Sequence, residues 1–193
     1  MHGEKVDALL TTFIAAALAE AGDRTQLFVI VLAMRFGKPV PILAGLALAA
    51  LANSLLAAVG GVFVGELINT RALSLLVALA LLFAAGGSLI RRSRSRMGEG
   101  WRTGAFATAA ICLFVLEFGD KTQFLTFALA GRFDSVALAA LGATAGIVAA
   151  NIPAVILGDR LTKLVPVQAI RYVAAALFLV IGFIVAVQAL ALV

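Results

Sequence analysis

The chain has 193 residues, of which 63% are apolar and only 13% charged, and its mean hydropathy is +1.12. A soluble surface alone calls for about 25–35% charged residues, so the composition excludes a soluble enzyme, a secreted disulfide scaffold and a disordered chain. The net charge of +5 raises the question of nucleic acid, which the placement of the basic residues answers below.

Six apolar stretches follow one another, each long enough to cross a hydrocarbon layer of about 30 Å as helix. The first, Ala8–Met34, contains the small-x-small pattern Ala17-Leu18-Ala19. A cleaved leader needs a basic start, and here Glu4 and Asp7 offset Lys5, so this stretch is read as a span. Pro41–Gly65 carries Asn53 near its middle and ends in Gly61-x-x-x-Gly65, and Ala72–Ile90 carries no charged residue. Arg91–Arg102 is the one long polar linker, with Trp101 expected as an interface anchor. Beyond it come Thr103–Ala130, Ser135–Leu157 with Asn151 and Gly142-x-x-x-Gly146, and Tyr172–Val193. The six stretches take up about three quarters of the chain, which leaves no room for a soluble domain.

If the six stretches cross alternately, Lys5, Arg71 and Arg132 fall on one side. Arg35, Lys38, Arg91, Arg92, Arg94, Arg96, Arg102, Arg160, Lys163 and Arg171 fall on the other. The richer side is cytoplasmic by the positive-inside rule. A multi-pass protein of the cell inner (plasma) membrane is expected, with both termini outside the cytoplasm and the basic linker inside it. The cytoplasmic loops account for the positive charge without a nucleic-acid partner.

Residues 20–26 read Glu-Ala-Gly-Asp-Arg-Thr-Gln and residues 117–123 read Glu-Phe-Gly-Asp-Lys-Thr-Gln, an offset of 97. At that offset nine of the seventeen positions from Glu20 to Phe36 are identical, Arg35 with Arg132 and Phe36 with Phe133 among them. Each half has three stretches, and an odd number of crossings inserts the second half in the opposite sense. The expected fold is therefore an all-α polytopic membrane protein of six transmembrane helices in two inverted three-helix repeats, 1–90 and 103–193, joined by the linker 91–102. Inverted repeats with a site near the midplane are the architecture of many secondary transporters.

Glu20, Asp23, Glu117 and Asp120 fall near the middle of their spans, together with Arg24 and Lys121. Each charge at a bilayer centre costs about 2.5–3.5 kcal/mol on insertion scales, so pairing, water or a bound ion must offset the cost. Residues three apart share a helix face, so each Glu points with its Asp. If the two faces meet, four carboxylates converge, with Thr25, Gln26, Thr122 and Gln123 adding neutral oxygens. Such an all-oxygen set suits a hard divalent cation, with Arg24 and Lys121 balancing charge. Gly22 and Gly119 fit either a helix break, with Asp23 and Asp120 as N-caps and the glutamines as their partners, or close packing of an unbroken helix. Asn53 and Asn151 fit ion ligation or interhelical hydrogen bonding, and Cys112 reads as a small core residue. His2, the single histidine, offers no membrane-embedded catalytic centre, and no nucleophile accompanies the acids, so no enzyme is expected.

The doubled Glu-x-Gly-Asp-[Lys/Arg]-[Thr/Ser] motif, in a small six-span chain with a polar central loop, resembles the family of Mn²⁺ and Ca²⁺ transporters of the Golgi, chloroplasts and bacteria. Bacterial members include the MneA-type manganese exporters. The resemblance implies a cation:proton antiporter whose motif acids form the ion site, and it covers Glu20, Gly22, Asp23, Arg24 and Thr25 with Glu117, Gly119, Asp120, Lys121 and Thr122. Mn²⁺ export is the favoured activity and Ca²⁺ the other cargo, with protons as the exchanged partner and no cofactor. The alternatives are export of a small cationic organic solute and a non-transport membrane assembly factor.

Overall fold

A computed structural model describes residues 2–90 and 97–190. Arg91, Arg92, Arg94 and Arg96, and the side chains of Lys5 and Lys163, all counted in the charge bias, lie outside the described residues. The described chain folds into helices α1 (His2–Glu20), α2 (Arg24–Phe36), α3 (Pro39–Leu67), α4 (Thr70–Leu89), α5 (Ala105–Glu117), α6 (Lys121–Phe133) and α7 (Val136–Leu157). A 3-10 turn at Gly158–Arg160, the short α8 (Leu161–Leu164) and α9 (Val167–Leu190) complete it, with no strand among the described residues.

Local chemistry sets the boundaries. Gly37 ends α2 in the left-handed region, its N–H donating to Ala33 O at 2.9 Å, and Pro39 then opens α3, the usual order of stop and start residues. Asp134 ends α6 in the same conformation. Asn69 caps α4 by accepting from Ala72 N at 2.8 Å, and Ser135 caps α7 through Leu138 N, which satisfies donors that the first turn leaves open.

Burial runs opposite to that of a soluble domain. The outer faces carry the large apolar side chains, among them Phe63, Phe183, Ile156 and Leu67, all more than half exposed. The interior is built largely of alanine, with Glu20, Asp23, Glu117 and Lys121 buried inside it. That distribution places a hydrocarbon solvent outside. Among the described residues, four helices are long and apolar enough to cross a bilayer, Pro39–Leu67, Thr70–Leu89, Val136–Arg160 and Val167–Leu190, while Ala105–Glu117 is apolar but shorter. The protein is an all-helical, multi-pass membrane protein.

α3 packs against α5, α6 and α7, α1 lies along α7 and α6, and α4 is held between α6 and α9. Small residues allow these approaches, because van der Waals contact rather than water exclusion holds helices together in lipid. A Cβ at Gly45 would come 2.6 Å from Phe106 O, and one at the equivalent Gly142 would come 2.5 Å from Leu9 O. Gly61 is tighter still, lying directly on the Phe127 carbonyl.

The last segment departs from the expected boundaries. α9 begins at Val167 rather than near Tyr172, so Arg171, counted as a loop cation, lies inside the helix and is buried. Pro166 separates α8 from α9: Val165 before it is extended, at φ −120° and ψ 130°, as a residue preceding proline tends to be, and α9 begins directly after it.

Overpacking a full core position costs about 1–3 kcal/mol or more. Gly61→Val is therefore expected to lose most of its monodisperse, detergent-extracted protein. Gly86→Ala, with nothing within 4 Å of the added methyl, is expected to match the wild-type yield in size-exclusion chromatography.

Candidate ion site

Both motif helices are broken at the same place. α1 stops at Glu20 and α2 starts at Arg24; α5 stops at Glu117 and α6 starts at Lys121. Gly22 (φ +77°) and Gly119 (φ +74°) occupy the left-handed region, where a Cβ would be strained. Asp23 and Asp120 follow in extended conformation, at φ −83°, ψ 173° and φ −82°, ψ 171°. Each turn is closed by the aspartate N–H donating to the glutamate carbonyl, at 3.0 Å for Asp23 and 3.1 Å for Asp120.

The aspartates hold the N-cap positions without capping by their side chains. Here the N-cap expectation is corrected in part. The glutamines reach back instead: Gln26 Oε1 accepts from Gly22 N at 3.1 Å and Gln123 Oε1 from Gly119 N at 2.6 Å. Both aspartate carboxylates face charge. Lys121 Nζ lies 3.0 Å from Asp23 Oδ2 and Arg24 Nη2 lies 3.3 Å from Asp120 Oδ1.

The glutamates are matched in the same crosswise manner. Thr122 Oγ1 donates to Glu20 Oε1 at 2.6 Å, and Thr25 Oγ1 donates to Glu117 Oε1. Glu20 Oε2 is buried with no hydrogen-bond partner among the described residues. Arg24 Nη2 also donates to Leu116 O, a carbonyl exposed by the end of α5. An open helix end thus already attracts a cation, one tethered to the chain.

All eight residues expected as ligands lie at the two breaks, but their roles differ. The carboxylates and threonine hydroxyls meet across the halves. The glutamine amides turn away, Gln26 Nε2 to Ala150 O at 2.9 Å and Gln123 Nε2 to Asn53 O at 3.4 Å, two carbonyls that are themselves 97 residues apart. Asn53 donates to Phe114 O at 3.0 Å and Asn151 to Ile147 O at 2.9 Å, so both make helix contacts. Among the described residues, no group of three or more His, Cys, Asp or Glu is close enough to hold a metal ion; the two basic side chains intervene.

The two breaks differ in what covers them. A Cβ on Gly22 would meet Val167 and Arg171 of α9 at 3.0–3.3 Å, whereas nothing lies within 4 Å of Gly119. Beside Gly119 a cavity of about 600 Å³ is lined by Leu56, Phe83, Phe118, Asp120, Gln123 and Phe127. Accordingly the Asp23–Lys121 pair is dry, each side chain 1% exposed, while in the second pair Arg24 is 29% exposed. Arg171 was missed as a neighbour of the site; its one signal is a lone arginine five residues after Pro166.

Lipid-facing walls thus surround a buried, oxygen-rich and charged centre. The chain belongs to the family described as divalent cation/proton antiporter GDT1, whose model matches residues 8–96 and 105–192. The two matched stretches begin 97 residues apart, the offset of the motifs. It is 36% identical over 178 residues, 92% of this chain and 89% of the relative, to a Vibrio cholerae serotype O1 protein described as "Putative manganese exporter". No solved structure matches the chain. The protein is a divalent-cation transporter, not an enzyme.

Removing one partner of a buried ion pair costs about 3–5 kcal/mol, because the other charge is stranded. Lys121→Ala is expected to lower the unfolding temperature in detergent clearly more than Arg24→Ala, whose pair is wetter. The double variant Lys121→Ala with Asp23→Asn is expected to recover more than half of that loss in a double-mutant cycle.

Proposed function

We propose that the protein exports Mn²⁺ from the cytoplasm in exchange for protons, through a single site formed by Glu20, Asp23, Glu117 and Asp120 with Thr25 and Thr122. Gln26 and Gln123 complete the oxygen set when the tethered cations leave. Each broken pair, α1 with α2 and α5 with α6, acts as one discontinuous span. Together with α3, α4, α7 and α9 they form six spans, in two inverted repeats of residues 1–90 and 103–193. The linker 91–102 lies in the cytoplasm, both termini lie outside, and the membrane is the plasma membrane. The observation that carries this reading is the crosswise pairing at the two breaks, in which each half's acids meet the other half's threonine and basic side chain.

Arg24 and Lys121 occupy the aspartates as stand-ins for cargo. A divalent ion entering must displace them, and it meets only oxygen donors, the preference of Mn²⁺ and Ca²⁺. Ion and protons compete for the same carboxylates, since ligands must be deprotonated to bind. An ion that expels protons, and protons that expel the ion, are sufficient for exchange.

The favoured cargo is Mn²⁺, in keeping with the name of the Vibrio cholerae relative. The test is flux into proteoliposomes under an imposed pH gradient, with Mn²⁺, Ca²⁺ and Mg²⁺ compared. Mn²⁺ is expected to dissipate the gradient. Glu20→Gln and Glu117→Gln are each expected to abolish that flux, and Thr25→Val or Thr122→Val to weaken apparent Mn²⁺ affinity about 10–100-fold, as loss of a ligand's supporting hydrogen bond does. Flux indifferent to Glu117→Gln would sink the site assignment; flux indifferent to the pH gradient would remove proton coupling; inhibition by basic amino acids would favour an organic cation as cargo.

A further inference from the structure

The 97-residue offset relates not only the two motifs but also the surfaces above them, and there the two halves differ. On the side away from the linker, a cavity of about 570 Å³ is lined by Thr11, Ala15, Leu129, Arg132, Phe178 and Gln188, among others. The residues equivalent to Thr11, Ala15 and Arg132 are Thr108, Cys112 and Arg35. These face a filled volume. The linker's Met97–Trp101 turn lies on them: Gly98 is buried against Cys112 and Thr108, and Met97 packs on the core of α2, α3 and α5.

The turn is fastened as well as seated. The Arg35 guanidinium donates to Gly98 O at 2.7 Å and to Trp101 O at 2.6 Å, while Trp101 N closes the turn on Gly98 O at 3.1 Å. Thr103 and Thr108 join hydroxyls at 2.7 Å just behind it. A loop that served only to set topology would need neither a buried glycine nor a forked arginine. The equivalent Arg132 is exposed at the mouth of the open cavity, so one arginine of the pair holds a plug and the other does not.

We propose that the Met97–Trp101 turn is an intramolecular gate on the linker side, latched by Arg35, which must leave its seat for an ion to pass on that side. This rests on the transport reading above. The gate closes one face of the bundle while the equivalent volume on the other face stands open. Its release and reseating make the two ends of the pathway alternate.

The test exploits the native cysteine. A Cβ on Gly98 lies 3.0 Å from Cys112 Sγ, within reach of a disulfide. In proteoliposomes the Gly98→Cys protein is expected to form this bond on oxidation, followed by thiol titration, and to lose Mn²⁺ flux. Reductant is expected to restore it, and the same chain carrying Cys112→Ser is expected to ignore oxidation. Full flux with the bond formed overturns the gate. A second measurement does not need transport at all. Arg35→Ala is expected to raise the rate at which a water-soluble maleimide labels Cys112 by about tenfold or more, the scale of losing two hydrogen bonds from a charged donor. An unchanged rate overturns the latch. If the wild-type chain moves no divalent ion while Arg35→Ala still unmasks Cys112, the transport reading fails and the latch stands.

Discussion

The bundle is organised around the cost of holding charge away from water. Asp23 and Lys121 face each other with both side chains 1% exposed, and neither would be tolerated alone in a layer that offers no hydration. Because each member comes from a different motif, the pair is also a clamp between the two halves. The equivalent Arg24–Asp120 pair and the two threonine–glutamate hydrogen bonds repeat the clamp. Four contacts of this kind fix where α1, α2, α5 and α6 must meet, and the remaining helices pack around that meeting point.

The break in each motif helix makes the arrangement possible. An unbroken helix would direct Glu20 and Asp23 to one face, competing for one partner. With Gly22 at φ +77° and Asp23 extended, the glutamate ends one helix and the aspartate begins the next. They then take different partners, a hydroxyl and an ammonium. The glutamine three residues on satisfies the glycine N–H, while the aspartate side chain makes no cap hydrogen bond and faces the ammonium.

Much of this was legible in the amino-acid sequence and some was not, for physical reasons. Apolar runs separated by Gly, Pro and charged residues mark α3, α4 and α7 to within about two residues at each end, because hydrocarbon thickness fixes their length. The mid-span acids stand out because charge there is so costly. Which side chain each acid takes depends on how two breaks 97 residues apart are brought together, and no local pattern encodes that. Gln26 and Asn151 could be read as ligands because an amide's preference between an ion and a backbone carbonyl is set by geometry alone. Arg171 was placed in a loop because alternation of charge and apolar residues could not locate the start of α9 at Val167. The packing of the Met97–Trp101 turn is hidden for the opposite reason: a basic, glycine-containing segment has a sufficient explanation in topology, and only the structure shows the seat beneath Gly98.

Crosswise pairing also bears on how such a chain could arise and be taken apart. Glu20, Asp23 and Arg24 sum to −1, as do Glu117, Asp120 and Lys121; each half carries acids whose partners belong to the other. Neither half is therefore chemically complete, and a gene encoding only one would specify a polypeptide obliged to find a second copy to pair with. The two halves differ in little at the motif except arginine against lysine and alanine against phenylalanine, so an ancestral single half could have satisfied itself by self-association before fusion. The present chain retains that mutual dependence, and a truncated product would leave the acids of one motif without their partners.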